Sequence, residues 1–259
     1  MGAMSYIDLQ PVLVDWRYDA DRISTRKIIG ADGRPKIQMR VELGLLQMEL
    51  DGRPDGEQPC GCDSLLAYYH KKLAEYQARN ATTLGFGLTP RECRALSDEA
   101  SLYYQRYVAL FVLEEFNLMV RDTSHNLAIL DLCRDYALEA KDRMRMEPTR
   151  AYVLMMDARA RALEALLDDQ VSSAVAHVNR GILSIRDHLE QWGRPDAFES
   201  CEEVKVLREL RADLLRDMPG DSLLATRRAL HEAIAEERFE DAAELHDQLK
   251  RLCEDDTGA

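Results

Sequence analysis

The sequence predicts a mainly α-helical protein that consists of stacked antiparallel helical hairpins, with a small antiparallel β element near the N-terminus and a further helical hairpin at the C-terminus. Three observations indicate this fold class. The 259 residues include only 13 Gly and 8 Pro and are rich in Ala, Leu, Glu and Arg, a composition that favours helix. From residue 61 onward, apolar residues recur three and four positions apart, as on one face of a helix. Strand-like alternation is confined to the first 50 residues.

The same signals divide the chain into five segments. Residues 1–3 precede Met4 and have the form of a cloning remnant, and residues 4–60 form the small β segment. Residues 61–218 form the helical domain, residues 219–253 form the C-terminal hairpin, and residues 254–259 form a disordered tail. A chain of this length is large enough to bury a substantial core.

The β segment opens with a stretch in which apolar and polar residues alternate strictly. The pattern predicts either a short half-buried strand or an extended arm that lies across the core. In both interpretations Trp16 anchors the segment. The alternating apolar positions are Val12, Val14, Trp16 and Tyr18.

A β-hairpin is predicted next. Asp32-Gly33 is a hairpin turn, flanked by Lys27-Ile28-Ile29 on one side and by alternating apolar residues at 37, 39 and 41 on the other. The alternation changes phase at Gly44, which predicts a bulge or a tight bend. We therefore expect a small antiparallel sheet.

Helix signals fill most of the remaining chain. Thr89, Pro90 and Glu92 form a capping box with Pro at the first helical position, which predicts a helix that continues through residue 111. Other helices are predicted over residues 64–77, 147–167, 171–189 and 202–217.

The helix that begins at Pro90 carries an aromatic stripe. Aromatic side chains at helical spacing have two interpretations, packing in the core or a platform on which bases stack. Packing is the more common of the two. The stripe consists of Tyr103, Tyr104, Tyr107 and Phe111.

The helical domain shows a weak internal echo. Residues 129–136 resemble residues 175–182, and each stretch is interpreted as the second helix of a hairpin. Stacked hairpins of this kind are similar in architecture to tetratricopeptide-type units. That resemblance implies a concave groove.

Charge and hydropathy limit the partners. A net charge of −13 repels phosphate backbones, so we do not expect nucleic acid as a direct ligand. The longest apolar run, residues 107–113, is far shorter than the roughly 20 residues of a membrane span. No basic-then-apolar signal pattern opens the sequence. We expect a cytoplasmic protein that binds other proteins and has no membrane segment.

Motifs of catalysis are missing from the sequence. There is no glycine-rich phosphate loop, no His-Glu-x-x-His and no Gly-x-Ser-x-Gly. Cys60, Cys62, His70 and Cys93 are residue types that zinc binds, but Cys-x-Cys lacks the two-residue spacer of zinc knuckles. The sequence therefore predicts a protein that is not an enzyme and that has neither a metal site nor a cofactor.

One basic cluster stands out in this acidic chain. It lies between two predicted helices, and it either binds an anion, such as a phosphate or an acidic helix, or forms a solvated loop. The cluster consists of Lys141, Arg143, Arg145 and Arg150.

The C-terminal hairpin is the most specific feature of the sequence. Pro219 and Gly220 end the preceding helix, and a first amphipathic helix then runs to about residue 237. A second apolar stripe begins within three residues of Phe239, so the two helices are antiparallel neighbours. Ordering about 30 residues costs about 45 kcal/mol, which requires about 1,800 Å² of apolar burial. Two short helices cannot bury that area between themselves, so the hairpin must dock on its own chain, on a second copy of itself or on another protein.

The residues of this hairpin resemble a known motif. From Phe239 the sequence reads F-E-x-A-A-E-L-x-D-x-L-x-x-L, which resembles the UVR motif shared by the UvrB and UvrC proteins of bacterial excision repair. The motif also occurs in protein-arginine kinase activators and in some Clp ATPases. The family's frequent Arg is replaced here by His246, and the Cys-x-x-Cys pairs of the kinase activators are missing.

The resemblance implies a helical hairpin that pairs with another protein, including a second copy of itself. We therefore expect a non-enzymatic adaptor. Two alternatives stay open: an accessory factor in nucleotide excision repair that binds DNA, and an activator or adaptor of a protein-arginine kinase or a Clp-type ATPase. The predicted partner-binding residues are Leu230, Ile234, Phe239, Ala242, Ala243, Leu245, Leu249 and Leu252.

Overall fold

The structure is a computed structural model that describes residues 8–216, 241 and 245. The chain forms two compact units, Met1–Leu207 and Arg208–Ala259. Its described part is mainly helical, with a three-stranded antiparallel sheet near the N-terminus, as the sequence predicts. The segment boundaries at residues 60 and 218 stay predictions. Among the described residues, no helix is both long enough and apolar enough to cross a membrane.

Eight α-helices and three strands make up the described regular structure, together with short 3₁₀ turns. The strands are β1 (Thr25–Ile29), β2 (Pro35–Val41) and β3 (Gly44–Glu49). The helices are α1 (Gln10–Leu13), α2 (Leu65–Asn80), α3 (Pro90–Val112), α4 (Phe116–Tyr136), α5 (Ala140–Met144), α6 (Arg150–Leu167), α7 (Val171–Gln191) and α8 (Glu202–Arg216).

The N-terminal segment is an arm rather than a strand. Pro11 lies in the first turn of α1, where its missing N–H is tolerated, and the strand interpretation of residues 12–18 is wrong. Beyond α1, Trp16 packs under the guanidinium of Arg26 at 4.2 Å from the ring centroid. The Trp16 carbonyl accepts a hydrogen bond from Arg40 Nε at 2.9 Å. Trp16 thus anchors the arm to the sheet.

The sheet has the order β1-β2-β3. The turn at Asp32-Gly33 joins β1 to β2 as predicted, and Gly33 adopts a φ of 76°, which favours glycine. Val41 pairs with Gly44, so the change of phase at Gly44 is a tight two-residue turn and not a bulge. Ile37 and Met48 are paired across β2 and β3 and are both buried.

Local side chains start α2 and α3. Ser64 Oγ accepts from the backbone N–H of Ala67 at 3.0 Å and caps α2. The capping box predicted for α3 is confirmed, because Glu92 accepts from the Thr89 N–H at 2.8 Å while Thr89 Oγ1 accepts from the Glu92 N–H at 3.4 Å.

The later helices form two antiparallel hairpins, α3–α4 and α6–α7, and α4 packs against α6. Three residues connect the helices of each hairpin, and each turn contains one left-handed residue, Glu114 with φ 59° or Asp169 with φ 57°. The Glu115 N–H bonds to the Leu110 carbonyl and the Gln170 N–H to the Ala165 carbonyl, which satisfies the ends of α3 and α6 alike. Both echo stretches lie in the second helix of a hairpin, as predicted. The echo is out of register, however, because it matched residues 129–136 at the end of α4 with residues 175–182 near the start of α7.

A small residue sets the spacing of the second hairpin. A Cβ added to Gly181 of α7 would overlap the side chain of Ala158 in α6 and would also approach Leu207 of α8. The two helix backbones approach closely at this point because neither Gly181 nor Ala158 has a bulky side chain. The resemblance of these hairpins to tetratricopeptide units stays a prediction.

A buried ion pair connects the sheet to the helices. Arg106 of α3 and Asp122 of α4 are both fully buried, and two guanidinium nitrogens of Arg106 donate to the Asp122 carboxylate at 2.7 and 2.8 Å. The remaining terminal nitrogen donates to the carbonyls of Glu49 at 3.0 Å and Gly52 at 2.7 Å. One side chain thereby joins the end of β3 to two helices.

Arg121 and Glu99 make further buried or half-buried contacts between neighbouring elements. Arg121 contacts Asp122 at 3.0 Å and donates to the Leu50 carbonyl at 2.8 Å. Glu99 of α3 is fully buried and accepts from the backbone N–H groups of Leu65 and Leu66 at 2.7 and 3.0 Å. The same carboxylate thus satisfies the start of α2, where helix N–H groups have no intrahelical partner.

We predict that Arg106→Met lowers the free energy of unfolding by about 3–5 kcal/mol, because it leaves the buried Asp122 carboxylate with Arg121 alone and removes the donor to the carbonyls of Glu49 and Gly52. Urea unfolding followed by circular dichroism measures the change. The control is Arg91→Met at an exposed position of α3, for which we expect a change within about 0.5 kcal/mol. A loss below about 1 kcal/mol for Arg106→Met would show that the pair does not hold the sheet in place.

Glu99 gives the fold a dependence on pH. Burial raises the pKa of Glu99, but hydrogen bonds from His125 and from the N–H groups of Leu65 and Leu66 outweigh it and lower the pKa below its ordinary value of 4.5. A carboxyl whose pKa is lowered by folding stabilises the protein above pH 4.5 and loses that contribution as the pH falls through the folded pKa.

We therefore expect Glu99→Gln to be less stable than the wild type at pH 7 and expect this difference in unfolding free energy to shrink as the pH falls below 4.5. Urea unfolding of both proteins between pH 7 and pH 3 tests this expectation. A difference in unfolding free energy that stays constant over that range would contradict the assignment.

Candidate functional site

The structure describes one of the predicted partner-binding residues of the hairpin, Leu245. Leu245 is helical and half-buried, and the nearby Asp241 is helical and exposed. Both lie in the second unit. The other predicted partner-binding residues, Leu230, Ile234, Phe239, Ala242, Ala243, Leu249 and Leu252, lie outside the described residues, and their role stays a prediction.

The end of α8 is the other described part of the second unit. Leu214 is buried, whereas Arg216 is exposed and pairs with Asp213 at 3.1 Å. Arg208 and Arg211 line a shallow depression of about 310 Å³ on this helix. This helix precedes the segment that the sequence predicts to form the hairpin.

The basic cluster lies between α4 and α6, as the sequence places it, and each of its cations has a partner in the same segment or on α4. Lys141 pairs with Glu139 at 2.7 Å, and Arg143 donates to the Ala137 carbonyl at 2.8 Å. The Arg145 guanidinium contacts the buried carboxylate of Asp142 at 3.0 Å. The acidic residues of the segment therefore balance most of its positive charge, and anion binding stays a prediction.

Arg150 differs from the other three cations because it is buried. Its guanidinium bonds to both carboxylate oxygens of Glu147 at 2.7 and 2.8 Å and to Asp131 at 2.7 Å. Burial lowers the pKa of Arg150, but Glu147 and Asp131 outweigh it and raise the pKa above its ordinary value. Arg150 is held as a structural cation at the start of α6.

The different surroundings of Arg150 and Lys141 predict different changes in stability for matched substitutions. We expect Arg150→Gln to lower the free energy of unfolding by about 3 kcal/mol, because Glu147 is left buried without its partner. Lys141→Gln should leave it nearly unchanged, because an exposed ion pair contributes little to stability. Urea unfolding at pH 7 measures both, and equal effects would contradict the structural role of Arg150.

The aromatic stripe of α3 is divided between the core and the surface. Tyr103 and Tyr107 are buried, Phe111 is half-buried, and Tyr104 is 45% exposed. Tyr103 stacks on His125 with ring centroids 3.7 Å apart, and burial raises the pKa of Tyr103 to about 12. Core packing therefore accounts for Tyr103 and Tyr107, and Tyr104 alone presents a largely open ring.

The candidate zinc residues are not arranged as a metal site. Cys60 is exposed, Cys62 is half-buried, and Cys93 is buried next to Cys133. Burial raises the pKa of Cys133 to about 12, which keeps this thiol protonated. Within residues 8–216, no three His, Cys, Asp or Glu side chains are grouped so as to hold a metal ion.

Sequence reasoning missed a cavity of about 480 Å³ where α3, α4 and the start of α6 meet. We call it the aromatic cavity; it is lined by Tyr104, Tyr107 and Tyr152 together with Asn126. Asn126 and Tyr152 come from two other helices and have no distinctive sequence pattern. The aromatic stripe of α3 was the one signal that pointed toward this cavity.

Comparison with known proteins identifies one region. Residues 221–254 match the family described as the UvrB/uvrC motif. No curated protein and no solved structure matches the chain. The match covers the predicted C-terminal hairpin and leaves the sheet and the stacked helices outside it. The chain therefore contains a UvrB/uvrC motif at residues 221–254.

Proposed function

We propose that this protein is a non-enzymatic adaptor that binds another protein through the helical hairpin of residues 219–253. The match of residues 221–254 to the UvrB/uvrC motif is the observation that carries this proposal. In that family the motif is a helical hairpin that pairs with other proteins. The adaptor role of this chain is inferred from that motif.

The physical chemistry of the hairpin supports pairing. Its apolar stripes need more burial than two short helices offer each other, so a third surface has to cover them. The sequence places the large apolar side chain of Phe239 at the predicted turn, and Ala242 and Ala243 are small enough to let the two predicted helices of the hairpin approach closely. An aromatic anchor of this type contributes strongly when it enters a pocket of the partner.

The first unit supports the proposal as a scaffold. Arg106, Glu99 and Arg150 are buried, and all three use their charges on partners within the same unit. Residues that serve catalysis commonly have perturbed pKa values and sit in a cleft. The charges of these three residues instead connect structural elements, which suits a unit that holds the hairpin.

The net charge favours a protein partner over DNA. At −13 the chain repels phosphate backbones at long range, so direct DNA binding would need a local basic surface. An accessory role in excision repair and a regulatory role on a protein kinase or a Clp-type ATPase both remain compatible with protein pairing. The identity of the captured partner distinguishes these roles.

We predict that Phe239→Asp reduces partner capture by more than about tenfold, because a charge replaces an apolar anchor whose loss typically costs at least 2 kcal/mol. The measurement is affinity capture from the native lysate with the tagged full chain, followed by mass spectrometry. The control is Arg251→Asp, which introduces an aspartate at a position that is three or four residues from none of the predicted partner-binding residues and should leave capture unchanged.

Capture that survives Phe239→Asp in a folded protein would show that the hairpin is not the docking element. Fluorescence anisotropy with duplex DNA tests the alternative in which the protein binds DNA. Affinity for DNA that falls steeply with salt would favour the DNA-binding role over the adaptor role.

A further inference from the structure

The aromatic cavity has the size of a small-molecule site, and no acidic side chain occurs among its described lining residues. Its volume of about 480 Å³ lies within the range of about 300–1,000 Å³ that is typical of ligand pockets. The whole chain has 47 acidic residues, yet the only charged residue described in this wall is Arg145. An anion inside the cavity therefore meets a guanidinium and no carboxylate in the wall.

Three tyrosine side chains give the cavity aromatic faces and hydrogen-bond donors. The ring centroids of Tyr104 and Tyr107 are 5.4 Å apart, and those of Tyr104 and Tyr152 are 6.1 Å apart. Burial, together with the neighbouring phenol groups, raises the pKa of Tyr107 and of Tyr152 above the ordinary value of 10.0. Both side chains are therefore uncharged at neutral pH, and each keeps an O–H group that can donate.

The hydroxyl of Tyr107 is an accessible donor. Tyr107 is 1% exposed, and within the described part of the chain its hydroxyl makes no hydrogen bond. Asn126 Oδ1 is sealed from solvent and lacks a partner, whereas the Tyr107 hydroxyl lacks a partner without being sealed. The small exposed area of Tyr107 therefore includes its hydroxyl. A donor of this kind favours a ligand that brings acceptors and disfavours a cation.

Arg145 supplies a cation with one unused nitrogen. Its Nε and Nη2 both contact Oδ1 of Asp142, at 3.3 and 3.0 Å, and among the described residues its Nη1 has no acceptor. The Asp142 side chain is fully buried, whereas that of Arg145 is 38% exposed. The ion pair thus has its carboxylate in the interior and its guanidinium in the cavity wall, where Nη1 can donate to an anion.

The remainder of the wall is largely apolar. Ser101 and Thr149 are exposed and already donate to backbone carbonyls, so their hydroxyl protons are not offered to a ligand. Aromatic rings pack against tyrosines edge to face or in offset stacks. A doubly charged phosphate group fits poorly, because one guanidinium supplies a single charge and apolar side chains do not solvate the second. The apolar lining residues are Ala100, Leu130, Met146, Pro148 and Val153.

We propose that the aromatic cavity binds a small aromatic carboxylate. The carboxylate accepts a hydrogen bond from Arg145, and the ring packs among the tyrosine rings and the apolar side chains. Of the four cations in the basic cluster, Arg145 alone lines this cavity. The site belongs to the first unit, and it does not depend on the adaptor role of the hairpin.

Benzoate and benzamide are matched probes for this proposal, because they share a ring and a similar shape but differ in charge. Isothermal titration calorimetry with the full chain should show saturable binding of benzoate. Benzamide should bind about tenfold more weakly, since a hydrogen bond to a charged acceptor becomes one to a neutral acceptor. Equal affinities for the two probes, or no saturable binding of benzoate, would overturn the proposal. Displacement of benzoate by an equal concentration of inorganic phosphate would also overturn it, because the site would then recognise charge alone.

Arg145 and Arg143 give a matched pair of variants. Both are exposed cations of the basic cluster, and Arg143 does not line the cavity. We expect Arg145→Gln to lower the affinity for benzoate about tenfold and to change the affinity for benzamide much less, because the charge that distinguishes the two probes is gone. Arg143→Gln should bind benzoate like the wild type. A folded Arg145→Gln protein with wild-type affinity for benzoate would contradict the proposal.

A cavity-filling variant locates the binding. Ser101 is exposed on the α3 side of the cavity, so Ser101→Phe places a ring at the cavity without removing a core side chain. We expect this variant to lose benzoate binding. Asp98→Phe, at an exposed α3 position that does not line the cavity, is the matched control and should still bind benzoate.

Circular dichroism checks that the variants are folded. If Arg145→Gln does not fold, Ser101→Phe decides the question. A folded Ser101→Phe protein that binds benzoate like the wild type would show that the cavity is not the site.

Discussion

The guanidinium of Arg106 uses its donors in two directions inside the protein, toward the Asp122 carboxylate and toward the carbonyls of Glu49 and Gly52. A fully buried cation of this kind is tolerated only when every donor finds an acceptor, because both charges have lost their hydration. The position of the sheet, the pairing of α3 with α4 and the course of residues 50–52 are thereby fixed together. The position of the N-terminal arm depends in turn on the position of the sheet, because Trp16 packs on Arg26 of β1.

The interface of α3 and α4 carries further polar contacts beside this pair. Glu99 meets His125 at 3.2 Å, and Asn126 donates to the Ala100 carbonyl. Such a layer is favourable only when its members are satisfied, and Asn126 Oδ1 is the exception among these groups. The aromatic cavity lies where this polar layer adjoins the tyrosines of α3 and α6, so the same interface that holds the fold together also shapes the cavity.

Elements encoded by neighbouring residues were predictable from the sequence. The capping box at Thr89 and the turn at Asp32-Gly33 are confirmed because each depends on side chains or backbone preferences within four residues. The turns of the two helical hairpins gave no such signal, because their left-handed residues are Glu114 and Asp169 rather than glycine. The register of the repeat was accordingly wrong.

Features built from distant residues were not predictable. Asp122 is adjacent in sequence to Arg121, and nothing local indicates that its main partner is Arg106 on another helix. The basic cluster was recognised as a group, but the burial of Arg150 follows from its contacts with Glu147 and with Asp131 of α4. The aromatic cavity required three helices to meet, and one of its residues, Asn126, has the appearance of an ordinary surface residue in the sequence.

The connection between Arg106 and the end of β3 has a consequence for how this protein can diverge. The acceptors are backbone carbonyls of Glu49 and Gly52, which every amino acid provides. A substitution at Glu49 can change the side chain while its carbonyl persists. Gly52 adopts a φ of 67°, which favours glycine, and inserting or deleting a single residue shifts both carbonyls away from the guanidinium. The fold should therefore tolerate a new side chain at Glu49 better than a change in the length of this loop.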